Sequence, residues 1–249
     1  YKYCNEFSGE NGSLEITSFE IINNGAGDDT EWEYLDELEI EVTVENTGNN
    51  NINDVVVEMK ITDDNNNTIT KKKIGLNKNK VDLGRIKDGD EEIATFKISE
   101  LPVNLDNGEY RIYVRAYDEK NEDFECVSTS SDFTNSDETY FGFEIAPSDG
   151  ATVIVKKGLE NILASCGDKN VEVKFMVYNT GNSKEDKVLV TLENSKLGIN
   201  EKTVINDLRD KKGKEATFFI SVPEEVTKTL NKLKIYTYYD YDKDEDELD

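Results

Sequence analysis

Apolar and polar residues alternate along most of this chain. In ELEIEVTVEN, Leu38, Ile40, Val42 and Val44 are separated by charged or polar neighbours, and DVVVEMKI, IATFKIS and EYRIYVRAY continue the same period of two. That period marks half-buried β-strands. Gly, Asn and Asp cluster between the runs, as tight turns require. No long stretch carries a convincing helical period; the best candidate, EEVTKTLNKL at 224–233, is good for about one turn. The pattern predicts an all-β chain.

The pattern also repeats. Ile40, Val42 and Val44 fall on Val173, Phe175 and Val177, and Asn46-Thr47-Gly48 falls on Asn179-Thr180-Gly181, with Val55 and Val57 on Val188 and Val190, at one constant offset. Further on, DLGRIKDGDEEIATFKIS (82–99) resembles DLRDKKGKEATFFIS (207–221) once a few residues drop out, and RIYVRAYDEKNED (111–123) parallels KIYTYYDYDKDED (234–246). Three matched segments in the same order make the chain two copies of one module.

In the first copy the strands are expected near Leu14–Ile22, Leu38–Glu45, Val55–Ile61, Thr68–Ile74, Ile93–Ser99, Tyr110–Tyr117 and Tyr140–Ile145. Short strands with alternating faces and frequent turns suggest immunoglobulin-like β-sandwiches. The organisation expected is an N-terminal arm at 1–12, a first immunoglobulin-like domain at 13–147 and a second at 148–249. The shift between copies puts a seventh strand of the second domain beyond Asp249, so that domain is expected to lack its last strand. Either following chain or a neighbouring molecule would then fill the open edge, since unpaired strand edges recruit other strands. Asn-Thr-Gly reads as the turn where a core strand ends, with its glycine in the left-handed conformation.

Charge narrows the partners. Acidic residues outnumber basic ones 54 to 29, a net charge of −25, while 36% of residues are hydrophobic and aromatics run the whole length. That is too much core material for a disordered acidic chain. The field repels phosphates, so nucleic acid and anionic lipid are excluded as partners and cations are favoured. No apolar run is long enough to span a membrane. There is no histidine, which removes the usual zinc, haem and His-based catalytic sites. No nucleophile elbow, P-loop or dinucleotide fingerprint is present, and no enzyme activity is expected.

The residues Val42-Thr-Val44-Glu-Asn46-Thr-Gly48, with Gly89 and Ala94-Thr-Phe96, form a pattern carried again by Phe175-Met-Val177-Tyr-Asn179-Thr-Gly181, with Gly213 and Ala216-Thr-Phe218. It resembles the cell-adhesion-related CARDB domains and related archaeal surface modules. The longer stretch from Gly9 through the DVVVEM segment, with ISVPEE and YYDYDKDEDE later, is similar to S-layer proteins of small-genome archaea. The resemblance implies an extracellular, cell-surface structural protein that self-assembles through strand edges into an S-layer or filament. The alternative is an adhesin or module that binds cell-surface glycans without assembling.

A few positions carry candidate chemistry. Asp240, Asp242, Asp244 and Asp246 alternate in YDYDKDED, and Asp28, Asp29 and Asp36 crowd another loop; either set could wrap Ca²⁺, a hard cation that takes oxygen ligands, against the plainer reading of solvated acidic turns. Calcium is the one cofactor they suggest. Cys4 and Cys126 could form a disulfide stapling the N-terminal arm, the alternative being unpaired buried thiols, and Cys166 is left without a partner. Asn11 and Asn66 stand in N-glycosylation sequons.

Overall fold

The alternating run Leu38–Asn46 becomes a strand buried at every second position, and the same rule builds most of the chain. The computed structural model describes Cys4 and residues 13–128, 140–146, 152–156, 162–226 and 230–239. Two units are present, Tyr1–Ala146 and Pro147–Asp249. The first contains β1 (Leu14–Asn23), β2 (Glu31–Trp32), β3 (Leu38–Asn46), β4 (Ile52–Asp63), β5 (Thr68–Ile69), the single-turn helix α1 (Lys71–Ile74), β6 (Lys80–Ile86), β7 (Glu91–Ile98), β8 (Gly108–Asp118), β9 (Cys126–Ser128) and β10 (Phe141–Ile145). The second contains β11 (Val153–Lys156), β12 (Val171–Asn179), β13 (Glu185–Asn194), β14 (Ile199–Leu208), β15 (Lys212–Ile220) and β16 (Lys234–Tyr238).

In the first unit β1-β3-β7 form one sheet. The other runs β2-β10-β8-β4-β5, with β6 also on β4 and β9 on β8. All pairs are antiparallel except β2 with β10. The second unit repeats the plan with β11-β12-β15 facing β14-β13-β16. Its core interleaves Val173, Phe175 and Phe218 from one sheet with Val188, Val190 and Leu192 from the other, which makes it a β-sandwich. The first unit adds an aromatic stack in which Trp32 lies on Phe143 at 3.7 Å and Tyr110 follows at 5.4 Å.

The expected strand at Thr68–Ile74 is corrected. Thr70 caps a helical turn there, its Oγ accepting from the Lys73 amide at 3.3 Å, and Gly75 ends the turn at a φ of 78°. Residues 224–226 and 230–233 carry no regular structure, so the helical reading of 224–233 is not realised among the described residues. Strands β2, β6 and β9 were not visible as separate runs.

The repeated Asn-Thr-Gly has a sharper role than a turn. Asn46 is fully buried at the end of β3. Its Nδ2 donates to the Asn50 carbonyl at 2.8 Å and to the Ile86 carbonyl, the end of β6 in the opposite sheet, at 3.2 Å. Its Oδ1 accepts from the Gly48 amide at 3.1 Å. Asn179 repeats every bond, to Ser183, Leu208 and Gly181, at 2.7, 3.1 and 3.0 Å. The amides of Thr47 and Thr180 tie the first strand of each unit through Ser13 and Thr152. Neither Gly48 nor Gly181 has a positive φ, which corrects the left-handed expectation. Gly48 is needed for space, because a Cβ there would meet the Ser13 Oγ at 2.5 Å.

Replacing Asn46 or Asn179 by Ala strands buried carbonyl groups, and we expect each change to cost about 2–4 kcal/mol. Asp should not rescue either position, because it lacks the two N–H donors. Urea unfolding followed by far-UV circular dichroism checks both; an unchanged midpoint would contradict the role assigned.

Candidate functional site

At the Asn46 end of the first unit, the connections β3–β4 and β8–β9 enclose a cleft of about 400 Å³. Asn46 holds the first connection through the Asn50 carbonyl. The second is shaped by Asp118, the buried last residue of β8, whose carboxylate accepts from the Lys120 amide at 2.9 Å and from Asn121 Nδ2 at 3.1 Å. The Asn121 carbonyl then receives the amides of Phe124 and Glu125. Lys120 pairs with Asp54 at 2.8 Å, and the hydrogen bond to that carboxylate raises the lysine pKa. Just beyond the loop, Cys126 is bonded to Cys4 with S–S 2.00 Å. That bridge packs with Val56 and Tyr117 in a small cluster that secures the far side of the loop.

The lining is rich in amides and carboxylates: Asn50, Asn51, Asn53, Asp118, Asn121 and Glu125, with Ser13, Ile52 and Phe124. Glu125 accepts from the Ser13 amide at 2.7 Å. The side chains of Asn50 and Asn53 make no hydrogen bond among the described residues, and both are exposed. Phe124 is 71% exposed, one of the most exposed large hydrophobic side chains described. Each amide offers a donor pair and an acceptor on one plane, and each carboxylate adds acceptors. An aromatic face beside them takes an apolar surface. No arginine or lysine lines the cleft. Sequence reasoning took Asn46-Thr47-Gly48 for a turn and did not single out the cleft residues; the signal available was a phenylalanine inside the polar run NEDFEC.

A second hollow, about 390 Å³, opens beside β4 where β5 and β6 leave a gap; it is lined by Met59, Ile61, Thr68, Thr70, Lys71 and Asn79 among others and contains no aromatic ring. Arg115 grips Glu58, one of the residues lining this hollow, through Nε at 2.9 Å and Nη2 at 2.6 Å, and lies 4.5 Å from the Tyr117 ring. This group braces the outer sheet face.

The acidic loop between β1 and β3 does not assemble as a cation cage. Asp36 is buried, and its carboxylate already accepts from Asn23 Nδ2 and the amides of Ala26, Gly27 and Glu33 at 2.8, 2.8, 3.2 and 2.9 Å. Asp28 instead turns to the Thr30 and Glu31 amides, both at 2.7 Å, and these bonds hold its carboxyl below the usual range. Asp29 contributes its backbone carbonyl, to Trp32 Nε1 at 3.1 Å. Among the described residues no three acidic or cysteine side chains group as a metal site. Asp240, Asp242, Asp244 and Asp246 lie outside the described residues, as does Asn11. Asn66 sits on an exposed turn with its Oδ1 accepting from Arg111 at 3.1 Å. Cys166 is an exposed free thiol.

The sheets define an all-β protein of β-sandwich units. The chain belongs to the Wzt C-terminal domain family, whose family model matches residues 5–143, nearly all of the first unit. Among solved structures, the C-terminal domain of Wzt is 13% identical with a TM-score of 0.38, over 55% of this chain and 75% of that one. A CARDB domain from Pyrococcus furiosus, solved with di-metal ions, is 17% identical with a TM-score of 0.32, over 59% of this chain and 98% of that one. A β-glucuronidase from Bacteroides uniformis is 10% identical with a TM-score of 0.36, over 70% and 17%. At these identities the likenesses say nothing about ligand or activity. No curated protein matches the chain significantly.

Saturation of Asp36 predicts that Asp36→Ala lowers stability by about 2–3 kcal/mol. Millimolar Ca²⁺ should leave the melting temperature of both the parent and the variant unchanged. A calcium-dependent rise in the parent that Asp36→Ala abolishes would restore the loop as a cation site.

Proposed function

We propose that this is a non-catalytic protein of the extracellular cell surface whose first unit binds neutral carbohydrate in the cleft between the β3–β4 and β8–β9 connections. The observation that carries the reading is that one cleft is lined both by the side chains of Asn50 and Asn53, which make no hydrogen bond among the described residues, and by the exposed Phe124 ring. Vicinal sugar hydroxyls each donate and accept, which suits amide and carboxylate groups side by side. The C–H face of a pyranose suits an aromatic ring. Carboxylates at the cleft and a net charge of −25 disfavour uronic, sialylated or phosphorylated sugars. Concave, largely preformed sites with a few oriented polar groups are the usual form of small-ligand sites.

Glycan-array screening followed by calorimetry tests this. We expect neutral glycans to bind, and Asn53→Ala and Phe124→Ala each to weaken binding about five- to tenfold, close to 1 kcal/mol, with melting temperature unchanged. Absence of binding to any neutral glycan, or full affinity in both variants, would sink the reading.

A second reading, a structural protein assembling into an S-layer or filament, is favoured by a separate observation. Large apolar side chains lie exposed on the second unit, including Phe219, Leu230, Tyr236 and Tyr239. Exposed apolar surface of this kind is typical of protein contacts. Electron microscopy of the purified protein, with and without divalent cations to offset its charge, should show sheets or filaments; dispersed monomers under all conditions would count against it.

A further inference from the structure

The turn between β4 and β5 holds three successive asparagines, and its hydrogen bonds use them differently. Asn65 Nδ2 donates to the Asp64 carboxylate at 2.6 Å. Asn67 is bound twice to Asp63, through its amide at 2.7 Å and its Nδ2 at 3.0 Å. Asn66, between them, is exposed and has a φ of 61°, a left-handed conformation that Asn tolerates better than most residues. Its side chain is held by the oxygen alone. Oδ1 accepts from Arg111 Nη1 at 3.1 Å, and the same guanidinium reaches the Asp64 carbonyl at 3.4 Å and lies 5.0 Å from the Tyr140 ring. A guanidinium only donates, so the atom facing it is the oxygen. Nδ2 is left over, and it makes no hydrogen bond among the described residues.

Turn geometry by itself accounts for an asparagine at 66. It makes no demand on Thr68, the first residue of β5, which is exposed and whose hydroxyl makes no hydrogen bond among the described residues. We propose that Asn66 carries an N-linked glycan. The reaction joins Asn66 Nδ2 to the anomeric carbon of a sugar carried on a lipid phosphate. The bond from that carbon to the phosphate oxygen breaks, its electron pair leaves with the lipid phosphate, and Nδ2 gives up one proton. A separate glycosyltransferase recognises the asparagine together with the hydroxyl two residues on, in a surface loop of an exported chain. Asn65 and Asn67 lack that hydroxyl spacing, and their nitrogens are already engaged. Oδ1 is not consumed, so the bond to Arg111 persists in the product and holds the linkage in place. The inference rests on the extracellular reading above and is independent of sugar binding in the cleft.

Site-resolved tandem mass spectrometry of the full chain, purified from the cells that make it naturally, tests this. We expect the peptide containing Asn66 to gain mass in whole sugar residues, with fragment ions placing the sugar on Asn66. Thr68→Ala, made in the same cells, should lose the sugar while keeping Asn66 itself, and Thr68→Ser should retain it. An unmodified Asn66, a sugar on Asn65 or Asn67 instead, or full modification in Thr68→Ala overturns the proposal. The same spectra show whether Cys4 and Cys126 are joined, which reports independently on an oxidising destination outside the cytoplasm. A bare Asn66 beside the intact disulfide removes the glycan and leaves the extracellular reading standing; a bare Asn66 with both thiols free removes both.

Discussion

Two buried asparagines hold the sheets of this protein in register. A β-sandwich gains most of its stability from non-directional apolar contact, which says little about how one sheet sits over the other. Asn46 and Asn179 add direction. Each sits at the end of a strand in one sheet, bonds the last carbonyl of a strand in the other, and accepts an amide from its own turn. A buried amide that satisfies both its donors and its acceptor costs little to bury, and it penalises any slip that would leave those groups unpaired. The loops that follow inherit the constraint. The cleft exists where it does because Asn46 also fixes the Asn50 carbonyl.

From this shared anchor the units diverge. The first encloses its core with β2, β10 and the loop organised by Asp36, and uses Trp32 stacked on Phe143 as the closing piece. It also ties down its outer face through Cys4–Cys126 over Val56 and Tyr117. In the second, the positions matching Glu58 and Arg115 are Thr191 and Tyr236, so a braced, charged surface becomes a more apolar one. Duplication kept the anchor and the core, while the outer sheet face took a different surface in each copy.

The periodicity carried most of the fold: all-β, duplicated, with β3, β7, β8 and β10 close to their expected places. What it missed has identifiable causes. Strand β6 carries Gly84 and an irregular register against β4, so its side chains never alternate cleanly. Strands β2 and β9 are two and three residues long, too short to show a period. The turn Lys71–Ile74 is helical because Thr70 and Gly75 cap it, a local signal outweighed by the β-branched residues nearby. The cleft was the least legible part. It joins Asn50 and Asn53 to Asn121 and Phe124, residues distant in sequence whose meeting depends on β4 lying beside β8.

The described acidic loops show how a carboxylate in a turn is used by the backbone around it. Asp28, Asp36, Asp63, Asp118 and Asp168 each accept a backbone amide from the turn or loop they border. In sequence such residues look like alternating metal ligands, since both roles place short acidic side chains in turns. The distinction lies in what the carboxylate already holds. Asp36, with four donors around it and two glycines whose added Cβ atoms would collide with its oxygens, is spent on shaping the backbone. Backbone amides already organise these described loops. The charge left unspent faces solvent, and its effect is felt in which partners approach rather than in how the units fold.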